Sequence, residues 1–126
     1  MPRQVRSRGD LFVIAEDELG TPAERLLLEV RLDGMEGHEG LAPVEAAAMS
    51  GAWIICRKPF PDRNLEIGYR YMRLMLNEAK VPWPRPVEDA ERIRAMLRLL
   101  ESGAISEARF GEWVGLRVAV AELLKA

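Results

Sequence analysis

The chain has 126 residues, of which 48% are hydrophobic and 30% charged, with a formal net charge of −2. That is globular composition and argues against a disordered chain, and the length fits one domain or a small domain with an appendage. A pI near 5.5 argues against a whole-surface nucleic-acid binder, which would normally be basic.

Residues 1–9 (MPRQVRSRG) carry three arginines and no acid, and read as a flexible or edge-lying basic arm. Residues 11–15 (LFVIA) form a short continuous apolar run, which reads as a buried strand. Thr21-Pro22-Ala23-Glu24 has the form of a helix start with a capping box. Residues 25–32 (RLLLEVRL) alternate charged and apolar positions with Leu27 as the one break. The alternation predicts a second strand, with residues 18–24 as the hairpin connection. Residues 33–40 (DGMEGHEG) read as a glycine-rich acidic loop, and residues 43–50 (PVEAAAMS) as a short helix. Residues 52–57 (AWIICR) read as a third strand that stops at Lys58-Pro59, because proline cannot continue a ladder.

The period then changes. Residues 65–80 predict a helix with Leu65, Tyr69, Met72, Leu76 and Ala79 on one face, capped by Asp62 or Asn64. Residues 81–86 hold three prolines in six positions and read as a rigid linker. Residues 87–101 predict a helix with Ile93, Met96, Leu97 and Leu100 inward, ended by Ser102-Gly103. Ser106 caps a last helix over residues 107–125. Phe110, Trp113, Val114, Val120, Ala121 and Leu124 make a broad apolar face there, which Leu116 and Leu123 extend. A helix this apolar is buried on two sides or meets a partner. The expected fold is therefore α+β: about three strands covered by helices and a C-terminal helical hairpin. The expected organisation is arm 1–9, core 10–80, linker 81–86 and hairpin 87–126.

Chemical handles are few. One cysteine, Cys56, excludes an internal disulfide and any zinc site needing two cysteines. One histidine, His38, excludes paired-histidine metal motifs. His38 with Glu36 and Glu39 matches no spaced ligand pattern and reads as part of a polar loop. Glu16-Asp17-Glu18 at a predicted strand end could hold Mg²⁺, but consecutive acids are ordinary in turns. Cys56 beside Arg57 and Lys58 could be an activated thiolate, against its reading as a small buried residue. No phosphate-binding loop and no nucleophile elbow occurs. We expect no metal, no cofactor and no catalysis.

The cations are 15 arginines to 3 lysines, and uncharged polar residues are scarce. That bias fits a GC-rich genome or a hot habitat. Arg57, Lys58, Arg63, Arg70 and Arg73 form a cationic stripe near Tyr69, Tyr71 and Trp83, to which Arg3, Arg6 and Arg8 could add. Arginine with aromatics can bind phosphates and stack bases; the alternative is a solvated face with Glu66 paired to Arg70. Arg117 interrupts the apolar stripe of the last helix and should snorkel to solvent or pair with an acid.

Gly103, Ile105, Ser106 and Phe110, between two helices over residues 93–124, resemble the turn of the short C-terminal helical-hairpin module called SHOCT. Arg109 stands where that module usually has an acid. The resemblance covers about a quarter of the chain and implies oligomerisation or partner binding. The leading expectation is a non-enzymatic protein-binding accessory, adaptor or inhibitor module acting on a larger machine. Its face would include Trp83, Phe110, Trp113, Leu116 and Val120. A phage- or plasmid-type effector fits, as does a host subunit. A partner protein, a second copy, or both would dock on the C-terminal helices. The alternatives are nucleic-acid binding through the arginine stripe, and a small metal or thiol enzyme around His38 and Cys56. No signal peptide is visible and no stretch is long enough to span a bilayer, so a cytoplasmic location is expected.

Overall fold

In a computed structural model, the backbone is described for residues 4–33, 35, 40–84 and 86–125, and side chains for 9–33, 35, 40–84 and 90–124. Six helices follow in order: α1 (Gln4–Leu19), α2 (Ala23–Glu29), α3 (Pro43–Arg57), α4 (Asn64–Glu78), α5 (Pro86–Glu101) and α6 (Glu107–Lys125). Among the described residues there is no strand, so the α+β expectation is overturned in favour of an all-helical fold.

Each expected strand is helical for a definable reason. Residues 11–15 lie inside α1, where Leu11, Phe12, Ile14 and Ala15 are buried while Val13 is exposed. A five-residue apolar run is too short for its period to show, because one helical turn and one strand can both absorb it. The alternation over residues 25–32 is incidental. Leu26 is buried in α2, but the apolar Leu28 is 88% exposed. The Thr-Pro helix-start signal, outweighed in the sequence by the alternation, lies next to the true start: α2 begins directly after Pro22, which is itself the cap residue, and no side-chain cap bond forms. Residues 43–50 and 52–57 are one continuous helix. Every residue of α3 from Ala52 to Ile55 is buried, and a helix covered on all sides loses its polar stripe and hence its periodicity.

α3 and α4 form the centre. Gly51 and Gly68 face each other where the two helices cross. A Cβ at Gly68 would lie 2.8 Å from the Gly51 carbonyl oxygen, and one at Gly51 would lie 3.0 Å from that of Gly68. Glycine at both positions is what permits this approach. Two apolar clusters flank the crossing. One joins Ala48, Ala52 and Ile55 of α3 and Met72 and Leu76 of α4 to Leu97, Leu100, Phe110 and Val114. The other joins Trp53, Ile54, Ile67 and Tyr71 to Leu11, Phe12, Leu26, Leu32 and Phe60.

The turns are built by local chemistry. Gly103 (φ 83°) ends α5; its N–H donates to Leu100 O and that of Ala104 to Leu99 O, the Schellman pattern. α4 ends the same way with Lys80 at φ 60°. Ser106 Oγ accepts from Arg109 N at 3.1 Å, capping α6 as the sequence suggests. Before α4 neither Asp62 nor Asn64 is the cap. Arg63 holds that position with φ 57°, Asp62 accepts from its N–H, and buried Asn64 exchanges two hydrogen bonds with the Phe60 backbone.

Candidate protein-interaction surface

The five residues expected on a partner-binding face fall into two groups. Phe110 is fully buried in the core. Trp83 and Trp113 are half-buried and stack edge to face at 5.9 Å, with Phe110 and Trp113 centroids 5.6 Å apart. Trp83 Nε1 donates to Tyr69 Oη at 3.1 Å. Arg117 lies over both indoles, its guanidinium 5.7 Å from the Trp83 centroid and 5.3 Å from that of Trp113. The side chain that interrupts the apolar stripe is therefore held by cation–π attraction inside an aromatic cluster. This group clamps residues 81–84 to α4 and α6.

Leu116 and Val120 belong to the second group, on the outer side of α6. Residues four and seven apart on a helix share a face, so Leu116, Val120 and Leu123 form a row that Leu124 widens. Their exposures are 67%, 49%, 77% and 79%. The inner side of the same helix is Phe110, Val114, Val118 and Ala121, all buried. The single broad face inferred from the sequence is thus two faces, one spent on the fold and one uncovered. Val118, four positions after Val114 and buried, continues the inner row, and the helical period alone could have assigned it there.

The arginine stripe meets carboxylates. Arg70 Nη1 lies 2.7 Å from Asp17 Oδ2 and 2.9 Å from Glu18 Oε2, and Arg63 Nε lies 2.8 Å from Glu18 Oε1. Arg57 lies 3.9 Å from Glu107, and Arg73 donates to Tyr69 Oη at 3.3 Å and covers its ring. Arg70 pairs across to α1 instead of along its own helix to Glu66. Burial alone would raise the Glu18 pKa, but hydrogen bonds from Arg63 and Arg70 outweigh it and hold the carboxyl below its ordinary value. The Glu18 bond in turn raises the Arg63 pKa, and Asp17 with Glu18 raises that of Arg70. Asp17 and Glu18 therefore act as a tether between α1 and α4. Lys58 is exposed at the end of α3 with φ 52°. It borders a cleft of about 580 Å³ lined by both signs, with Arg63, Arg94 and Arg98 against Asp62, Glu66 and Glu101.

Cys56 sits on α3, half-buried, with its thiol 3.9 Å from the Leu100 carbonyl oxygen to which it donates. Burial pushes its pKa up and Glu107 adds to that, against smaller opposing effects of Arg57 and Lys58. Its environment is the reverse of an activated thiolate. His38, Glu36 and Glu39 lie outside the described residues, as do the side chains of Arg3, Arg6 and Arg8. Residues 4–9 are the first turns of α1. Among the described residues no three potential metal ligands converge, and no helix is long and apolar enough to cross a membrane.

No protein-family model, curated protein or solved structure matches this chain. The likeness to the SHOCT hairpin is thus one of turn chemistry: Gly103 and Ser106 end one helix and start the next, as in any well-capped hairpin.

Proposed function

We propose that this chain is a non-catalytic protein-binding module, an accessory, adaptor or inhibitor subunit that makes its contact through the outer face of α6. The observation that carries the reading is the uncovered row Leu116, Val120, Leu123 and Leu124, four large apolar side chains side by side. Scattered exposed leucines are ordinary on a protein surface, but a contiguous patch marks an interaction site. The aromatic clamp beside it holds Trp113 at the edge of the row, so that this side chain has less freedom to lose on association.

The test is an affinity capture from source-cell lysate, with and without nuclease. The tagged wild-type chain is compared with the double variant Leu116→Glu, Leu123→Glu. Both positions are exposed, so the variant should fold with unchanged far-UV circular dichroism. A stoichiometric, nuclease-resistant partner that the variant loses supports the reading. A partner retained equally by the variant, or one lost with nuclease treatment, overturns it.

A further inference from the structure

We infer that the groove between α4 and α5 is a binding site for a free α-amino acid with a large apolar side chain. It is built from other residues than the outer face of α6 and does not rest on the protein-binding reading. Two cavities adjoin there. The polar cleft of about 580 Å³ shares Leu65, Glu66 and Arg94 with a second opening of about 260 Å³. Leu65, Tyr69, Ile93 and Leu97 wall this second space, and Ile93 and Leu97 are buried at its base. Pockets that take a whole drug-sized ligand run to about 300–1,000 Å³, so the smaller opening suits a single apolar side chain. Glu18 and Arg70 also line it, but they are already paired with each other at 2.9 Å.

Where the two cavities adjoin stand one carboxylate and one guanidinium, Glu66 and Arg94. The neighbours that would ordinarily pair with Glu66 are engaged elsewhere. Arg70, one turn on, is bound by Asp17 and Glu18, and Arg63, one turn back, by Glu18. Arg94 has Arg98 one turn on, and like charges at that spacing are destabilising. Among the described residues Glu66, Arg94 and Arg98 enter no ion pair, with each other or with any other group. The fold thus brings both signs of charge to one cleft and leaves them unmatched. A simple anion would meet Asp62, Glu66 and Glu101 there, and a simple cation would meet the arginines. An α-amino acid carries an ammonium, a carboxylate and a side chain on one carbon. Its ammonium donates to Glu66. Its carboxylate accepts from the planar fork of Arg94 and lowers the repulsion between Arg94 and Arg98. Its side chain enters the space between Leu65, Tyr69, Ile93 and Leu97.

The experiment is isothermal titration calorimetry on the purified full chain with L-leucine, L-methionine and L-phenylalanine, carried to tens of millimolar. Glycine, leucinamide and N-acetyl-leucine are the controls that lack, in turn, the side chain, the carboxylate and the ammonium. The expected result is saturable one-to-one binding of at least one of the three amino acids. Each control should bind at least about tenfold more weakly, as loss of one charged contact or one buried side chain does. Glu66→Gln and Arg94→Gln should each weaken the amino acid by a similar factor with unchanged circular dichroism. Arg92→Gln removes an exposed cation of α5 that lines neither cavity and should bind as the wild type does. Absence of saturable binding by all three amino acids overturns the inference. So does affinity that survives both Glu66→Gln and Arg94→Gln, or that falls equally in Arg92→Gln. Leucinamide binding as tightly as leucine would assign the groove to the amino terminus of a peptide and overturn the free amino acid. The Leu116→Glu, Leu123→Glu variant should bind the amino acid unchanged, so the lysate capture and this titration fail independently.

Discussion

Glu18 is the residue where α1 is fastened to the centre of the molecule, and its protonation sets how the chain responds to acid. Two guanidiniums donate to its two oxygens, and its pKa is held below the ordinary 4.5. A carboxyl depressed in the folded state contributes stability that is complete above its unfolded pKa. That contribution is lost as pH falls through the folded value. Unfolding free energy should therefore decline as pH drops below about 4.5. Glu18→Gln should lower stability by about 1 kcal/mol at neutral pH, the scale of a charged hydrogen bond on a partly screened pair, and flatten that acid limb. Denaturant titrations of both proteins across this range check it; parallel pH profiles would show that Glu18 contributes nothing. Cys56 gives a second prediction. Burial and Glu107 raise its pKa, so less thiolate is present, and alkylation at neutral pH should be about tenfold slower than in the denatured chain. Equal rates would mean the thiol is neither shielded nor depressed in acidity. The acids at 16–18 and the cysteine were plain in the sequence. Their partners, 45 to 53 positions away for the acids and 44 for the cysteine, were not, because pairing between α1 and α4 has no local signature.

Glycine within helices separates elements that touch from elements that do not. At Gly51 and Gly68 an added methyl would strike the backbone carbonyl of the facing helix, and backbone cannot rotate away as a side chain can. Gly68→Ala should destabilise the fold by about 1–3 kcal/mol, the usual range for overpacking. Gly111→Ala should stabilise the monomer by about 0.5–1 kcal/mol, because it gains helix propensity against open space. Urea unfolding of the two variants at low concentration would show opposite signs, and equal effects would refute the assigned crossing. The same comparison explains what sequence could reveal of the elements. α5 and α6 were legible, with residues 107–125 matching α6 end to end, because Ser106, Gly103 and a one-sided pattern on α5 agree. In α3 Gly51 read as the break between a helix and a strand, whereas it marks a close crossing. Local sequence shows a missing side chain but not the neighbour that fills its space.

At the scale of the whole molecule, α3 and α4 are, among the described residues, the only helices whose buried side chains enter both apolar clusters. Ile55 and Met72 lie in one; Ile54 and Tyr71 lie in the other. Opening either cluster leaves the α3–α4 pair packed on its other side, so this pair should be the last to lose its hydrogen bonds. Native-state amide exchange should find the slowest amides in Pro43–Arg57 and Asn64–Glu78. α2, seven residues long with one buried side chain, should open first. α6 should fall between them, since only its inner face is packed. Protection greatest in α1 or α6 would contradict the central placement of α3 and α4. The layering behind these expectations was hidden in the sequence for a physical reason that lies in α3: with Ala52 to Ile55 buried on every side, no polar stripe is left to mark its period. α4 keeps exposed polar positions and so read as a helix over 65–80, but its period shows one inward face and not which helices pack against it.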